Sequence, residues 1–137
     1  MKAVQELSVN KAVVLRFNKE LMEDCNTEAL EKLVADDFIN HTAAGTVAKD
    51  RQGLMRFITL LHTGFSDFRV EIHEQVEEGD VVASRKTIYA RHTGEIMGHA
   101  PTGKVVEFKV MDFVRLREGK YIEHWGQNNV MQVIGTL

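Results

Sequence analysis

Residues 68–92 read FRVEIHEQVEEGDVVASRKTIYARH. In the first ten, Phe68, Val70, Ile72 and Val76 oppose Arg69, Glu71 and Glu77. That alternation is the period of a strand with one buried face. Glu78-Gly79-Asp80 is a turn signal, and Val81–His92 returns as a second strand rich in β-branched residues. The stretch therefore predicts a long antiparallel hairpin.

Downstream the same period continues. Thr93–Gly103 is a glycine-rich loop holding the single proline, Pro101. Val105–Leu116 reads as a long strand, Arg117–Gly119 as a turn, and Lys120–Gln127 as the last strand. Upstream the period is helical. From Val9 to Asp24, Val13, Val14, Phe17 and Leu21 share one face, with Ser8 or Asn10 as the cap. Thr27 is expected to cap a short second helix that buries Leu30, Leu33 and Val34. Asp50 is expected to cap a third, with Leu54, Phe57, Ile58 and Leu61 as its stripe. The residues between, FINHTAAGTVAKD, are irregular.

Three helices followed by about four antiparallel strands predict an α+β fold with the helices on one side of the sheet. A single helix layer cannot cover both faces of such a sheet, so a strongly curved, cone-shaped sheet is expected, with a ligand pocket on its concave side. The 137 residues fit one domain, 1–137, with no linker or repeat to divide them.

Composition narrows the function. A net charge of -3 leaves no electrostatic footprint for nucleic acid. No apolar run approaches the roughly 20 residues needed to span a bilayer. The opening MKAVQELSVNK lacks the apolar centre of a signal peptide. A cytoplasmic protein is expected, and the lone Cys25 excludes an intrachain disulfide. The six histidines include no H-E-x-x-H, so no metal site is expected. GHAPTGKV, residues 98–105, mimics a phosphate-binding loop, but Val105 stands where Ser or Thr would hold magnesium, and a strand follows where a helix is required.

Several segments, in order, carry a family pattern: DDFINHTAAG, FITLLHTGFSDFRVEI, EEGDVVASRKTIYARHTGE, MGHAPTGKVVEFKVMDFVRLREGKYIEHW and a terminal VMQVIG. From about Val13 to Gly135 the chain resembles the SnoaL-like polyketide cyclase or ester cyclase family, which has the nuclear-transport-factor-2-like cone fold. The resemblance implies a deep apolar cavity for a small apolar carbonyl compound, a dimer or tetramer (a homodimer foremost), and acid–base chemistry without a metal or organic cofactor.

Against that background the polar residues are weighed. Asp112 lies mid-strand on the face of Val110 and Val114, where burial is expected to raise its pKa and make it a usable acid or base. His41, after Phe38-Ile39, is expected to be a pocket-lining proton shuttle or a loop-capping histidine. The resemblance implies cavity positions for both, as the catalytic pair. Arg85, on the face of Val81, Ala83 and Thr87, is expected to pair with Asp112 or to polarise a substrate oxygen. His92, His124 and Trp125, with Phe17 and Phe57 from the helices, complete the expected substrate-binding set. His92 reads more readily as a strand-end contact. Alternation puts His124 with Ile122, Gly126 and Asn128, opposite Tyr121, Glu123, Trp125 and Gln127, without saying which face lines the cavity.

One departure stands out. Cyclases of this family that do aldol chemistry carry an Asp directly after the Trp, and here that residue is Gly126. Many relatives have a second Asp three residues on, and here it is Asn129. Neither side chain exchanges a proton near pH 7. Two functions therefore stand side by side: a cofactor-free cyclase, isomerase or lyase, and a non-catalytic binding or dimer-scaffold module of the same fold.

Overall fold

The computed structural model describes residues 7–43 and 48–137. The opening residues 1–6 and the small-residue stretch 44–47, both read above, lie outside them. Helix α1, Val9–Phe17, starts as expected: the Ser8 side chain accepts from the Lys11 N–H. It runs on as a π-helical turn, Asn18–Glu23, so the single expected helix changes pitch at Asn18. Such turns recur at functional sites. Helix α2 is only Ala29–Leu33, and its start is served by the Asn26 side chain accepting from the Glu28 N–H rather than by Thr27.

The next element departs from the sequence reading. Residues Val34–Asn40 form strand β1, where the second helix, with Val34 on its buried side, and then the irregular stretch from Phe38 were expected. It pairs in parallel with the last strand, Ile39 opposite Glu123 and Asn40 opposite His124. Asp36 and Asp37, both exposed, break the alternation that would have marked the strand. Helix α3, Arg51–Gly64, is capped by Asp50 as predicted, through the Gly53 N–H. Strands β2 (Phe65–Glu78), β3 (Val81–His92), β4 (Val105–Arg117) and β5 (Lys120–Asn128) follow. The terminal VMQVIG is helix α4, Val130–Gly135, with Val130 and Ile134 buried.

The sheet is five-stranded and mixed, in the order β1-β5-β4-β3-β2. One face is the core. Val82, Ser84, Lys86, Ile88, Ala90 and His92 bury from β3, and Val106, Phe108, Asp112, Val114 and Leu116 from β4. Val14, Phe17, Leu21, Leu33 and Ile58 pack on them from the helices. Each such side chain adds about 1.5–3 kcal/mol of apolar burial. Register shifts bend the strands. One, between Arg115 and Leu116 on β4, sets Tyr121 opposite Leu116 but Glu123 opposite Arg115. The extra residue, Ile122, flips the parity of β5, so Tyr121 and His124 both face the core. The turns fall where expected, at Gly79 (φ 59°) and at Glu118–Gly119 (φ 51° and 76°).

Candidate functional site

The core carries a polar cluster at one end. Asp112 and Lys86 are 8% and 6% exposed. Lys86 Nζ lies 3.3 Å from Asp112 Oδ2 and donates to Asn18 Oδ1 at 2.8 Å. Asn18 in turn donates to the Val14 carbonyl. His124 Nε2 meets the same Asp112 Oδ2 at 3.3 Å, and its Nδ1 meets Asn40 Oδ1 at 2.9 Å and Thr42 Oγ1 at 3.2 Å. Asp112 Oδ1 is buried without a hydrogen-bond partner among the described residues. The His124 side chain is 20% exposed, so the cluster, buried at Lys86 and Asp112, reaches solvent at His124, its mouth.

Two expectations are corrected here. Asp112 pairs with Lys86, not Arg85, because Arg85 sits one residue out of phase on β3 and points to the opposite face, where it holds Glu74 at 2.8 Å. Nor is the Asp112 carboxyl raised. Burial works to raise its pKa, but the Lys86 ammonium and the His124 ring outweigh it and hold the carboxyl below its ordinary value. It is an ionised carboxylate at neutral pH, suited to orienting a partner rather than to donating a proton. Tyr121, fully buried near it, is pushed well above the usual tyrosine value by burial and by the Asp112 charge.

Residues 40–42 bracket β5 from both sides. Asn40 and Thr42 reach His124 on the inner face. His41 turns outward, stacks on Trp125 with ring centroids 4.8 Å apart, and lies 3.0 Å from Glu123 Oε2. The structure thus puts His41 and Trp125 together, and His124 with Asp112, on opposite faces of one strand. Phe17 is core, stacked on Tyr121 at 4.3 Å, and Phe57 packs half-buried against the same core. His92 is fully buried elsewhere on β3. Its Nδ1 accepts from the Thr102 N–H at 3.2 Å, tying down the loop that mimicked a phosphate site.

A groove of about 610 Å³ opens on the outer face of the sheet. Val76, Ala83, Met111, Phe113 and Trp125 make it apolar, and His41 and Arg85 stand at its edges. Asp112 also borders it, with Thr42, Ser84 and Gly126, although strand alternation sets the Asp112 and Ser84 side chains on the core side. This volume is open, and it lies on the side away from the helices, where the sequence reading placed an enclosed pocket beneath them. Among the described residues no group of three or more His, Cys, Asp or Glu is placed to hold a metal, and no helix is long and apolar enough to cross a membrane.

Lys86, Asn18, Asn40 and Thr42 escaped the sequence reading. Lys86 had left a signal: it sits in phase with Val82, Ser84 and Ile88, a cation on a buried stripe. Asn18 sits one helical turn after Val14 but carries no mark of its own.

A helix-backed, curved mixed sheet with a buried polar cluster at one end places the chain in the nuclear-transport-factor-2-like class of α+β folds. Solved structures agree. IdmH from Streptomyces antibioticus, provisionally a polyketide cyclase, is 24% identical over 92% of this chain and 96% of its own, with a TM-score of 0.80. A provisional polyketide cyclase from Acidithiobacillus ferrooxidans is 21% identical over 99% and 97%, with a TM-score of 0.83. AclR from Streptomyces galilaeus, provisionally a hydroxylase, is 26% identical over 93% and 82%, with a TM-score of 0.79. The model of the SnoaL-like polyketide cyclase family matches residues 12–136, and the chain belongs to that family. No curated protein matches it.

Proposed function

We propose that this protein binds a small, mostly apolar carbonyl compound at the mouth beside His124 and moves protons on it with its own side chains. The observation that carries this reading is the buried, ionised Asp112 wired to a partly exposed histidine. Charges are costly to bury and cluster at functional sites when they are kept. Asp112 orients, His124 faces the ligand, and His41 borders the mouth from the outer face. Family membership supports cyclisation, isomerisation or lyase chemistry as the reaction class, although the same scaffold hosts other activities.

The apolar outer groove is, in this proposal, the surface on which a second copy sits. Val76, Met111 and Phe113 are each more than half exposed there, a patch that a lone soluble chain rarely carries. The homodimer is proposed to work in the cytoplasm. A second reading, a binding module without catalysis, draws on Gly126, which has no acid at the position where aldol cyclases of the family carry one.

Titration with 2-tetralone, followed in 1H–15N spectra, tests the ligand reading. Saturable shifts centred on Asn40, Thr42 and His124 are expected. Shifts confined to the outer groove, or none across a panel of bicyclic ketones, would overturn it.

A further inference from the structure

His124 is gripped at both ring nitrogens by acceptors. Asp112 Oδ2, 3.3 Å from Nε2, belongs to an ionised carboxylate and has no proton to give. Asn40 Oδ1, 2.9 Å from Nδ1, is fixed as the oxygen end of its amide because the Thr42 backbone N–H donates to it at 3.0 Å. A neutral imidazole has one donor and one acceptor nitrogen, so it would leave one of these contacts as lone pair against lone pair. Only a ring protonated at both nitrogens satisfies the pair. The Thr42 hydroxyl, 3.2 Å from Nδ1, rotates to suit either form and does not decide the matter.

Gly126 supplies the space. It is the register partner of Asp112, and a Cβ there would lie 3.0 Å from His124 Cε1, 3.3 Å from Nε2 and 3.3 Å from Asp112 Cβ. Cε1 is the ring atom between the two nitrogens, so a side chain at 126 would press on the ring between both hydrogen bonds. Gly126 is not among the glycines at positive φ. The backbone tolerates other residues there, and what the position needs is room.

We infer that His124 is held as the doubly protonated imidazolium, clamped by Asp112 and Asn40, in the space that glycine at 126 leaves open. Gly126 and Asn40 are positioning residues for that ring. The groups that face it are Asp112 from β4, Lys86 from β3 on the same carboxylate oxygen, and Asn40 and Thr42 from the end of β1. His41 and Glu123 pair with each other on the far side of β5. Two cations against one carboxylate leave the cluster one positive charge in excess. The mouth is therefore suited to an oxygen that carries or gains negative charge, an enolate or a carboxylate. This deepens the proposed function by naming the group that bears the proton, and it rests on that reading only for the use made of the proton.

Long-range 1H–15N spectra of protein labelled at histidine, at pH 7, test the inference, with the His124 ring assigned by its loss in His124→Gln. Both ring nitrogens of His124 are expected to be protonated in the wild type. Gly126→Ala, which crowds the ring, and Asn40→Ala, which removes the second acceptor in case the first variant does not fold, are each expected to leave one nitrogen bare. A bare nitrogen in the wild type, or two protons retained in both variants, would overturn it. To separate the anion sources, 2-naphthoate and the enolised 5,5-dimethylcyclohexane-1,3-dione are titrated against neutral 2-naphthamide. Both anions are expected to bind more tightly than the amide, at least tenfold, and equal affinity for all three would contradict the charge assignment. Failure of 2-tetralone to bind would sink the ligand reading while leaving the ring spectrum unchanged.

Discussion

Lys86 and His124 both end on the same oxygen of Asp112, each at 3.3 Å. The carboxylate is thereby kept charged inside the core; removing it leaves the Lys86 ammonium with only the Asn18 oxygen, and removing Lys86 leaves Asp112 with only His124. Asp112→Asn, which strands the buried Lys86 ammonium, is predicted to destabilise the fold by about 3–5 kcal/mol, and so is Lys86→Met. The double variant Lys86→Met/Asp112→Leu should cost less than either single change, because neither the buried ammonium nor the buried carboxylate is left behind and the partly exposed His124 can release its proton to solvent. Urea unfolding of the three variants decides this. Single variants that stay within about 1 kcal/mol of wild type would mean that the cluster is wetter than its burial implies.

The same carboxylate sets an acid limit. Its folded pKa is lowered, while in the unfolded chain it titrates near an ordinary aspartate at about 3.9. As pH falls, the unfolded state takes up the proton first, so the stabilisation present above that value is lost from about pH 5 downward. Unfolding midpoints measured through this range should fall more steeply for wild type than for Asp112→Asn. Parallel curves would contradict the assignment.

Tyr121 sets an alkaline one. Burial foremost, and then the Asp112 charge, raises its folded pKa well above 10. Above about pH 10 an unfolded tyrosine ionises while the buried one does not, so stability falls as pH rises past that value. Tyr121→Phe removes the group and should flatten the alkaline limb while keeping the stack on Phe17. The absorbance of tyrosinate followed alongside unfolding measures it, and ionisation of Tyr121 in the folded protein near pH 10 would be the contrary result.

Phe113 lines the exposed apolar groove, opposite Trp125 in the register of β4 and β5. A charge there should not disturb the core, since the side chain points away from it. Phe113→Glu is predicted to shift the protein from dimer to monomer in sedimentation velocity at micromolar concentration, with the circular dichroism unchanged. A wild type that is already monomeric at that concentration would remove the role given to this face.

Much of this architecture could be read from the chain, and the failures have physical causes. The long strands were legible because each buries one face, and the caps at Ser8 and Asp50 because a side-chain oxygen precedes a clear apolar stripe. Strand β1 was not, since its identity comes from parallel pairing with a strand some eighty positions later and its own alternation is broken by Asp36-Asp37. Arg85 and Lys86 differ by one position, and alternation alone does not tell which of two neighbouring cations turns inward. The sequence reading set Arg85 inward with Val81, Ala83 and Thr87, whereas the residues of β3 that bury are Val82 and Ile88, in phase with Lys86. At the site, Asp112 was picked out correctly as a buried carboxylate, but the direction of its pKa shift depends on Lys86 and His124, which only the register brings to it. The importance of Gly126 lies in an empty volume beside another residue's ring, which no local pattern encodes.

Proton exchange at carbon is the sharpest check on the chemistry proposed for His124. An enolate oxygen forming beside the excess positive charge of the Lys86–Asp112–His124 cluster is stabilised electrostatically, so solvent base should remove the α-protons of 2-tetralone, and solvent deuterium replace them, faster with the protein than without it. In deuterated buffer at neutral pD, followed by 1H NMR, wild type is predicted to accelerate this exchange at least a hundredfold, the usual lower range for a positioned acid or base, and His124→Gln to return it to the buffer rate. Exchange at the buffer rate with wild type, under conditions where 2-tetralone is shown to be bound, would contradict the account.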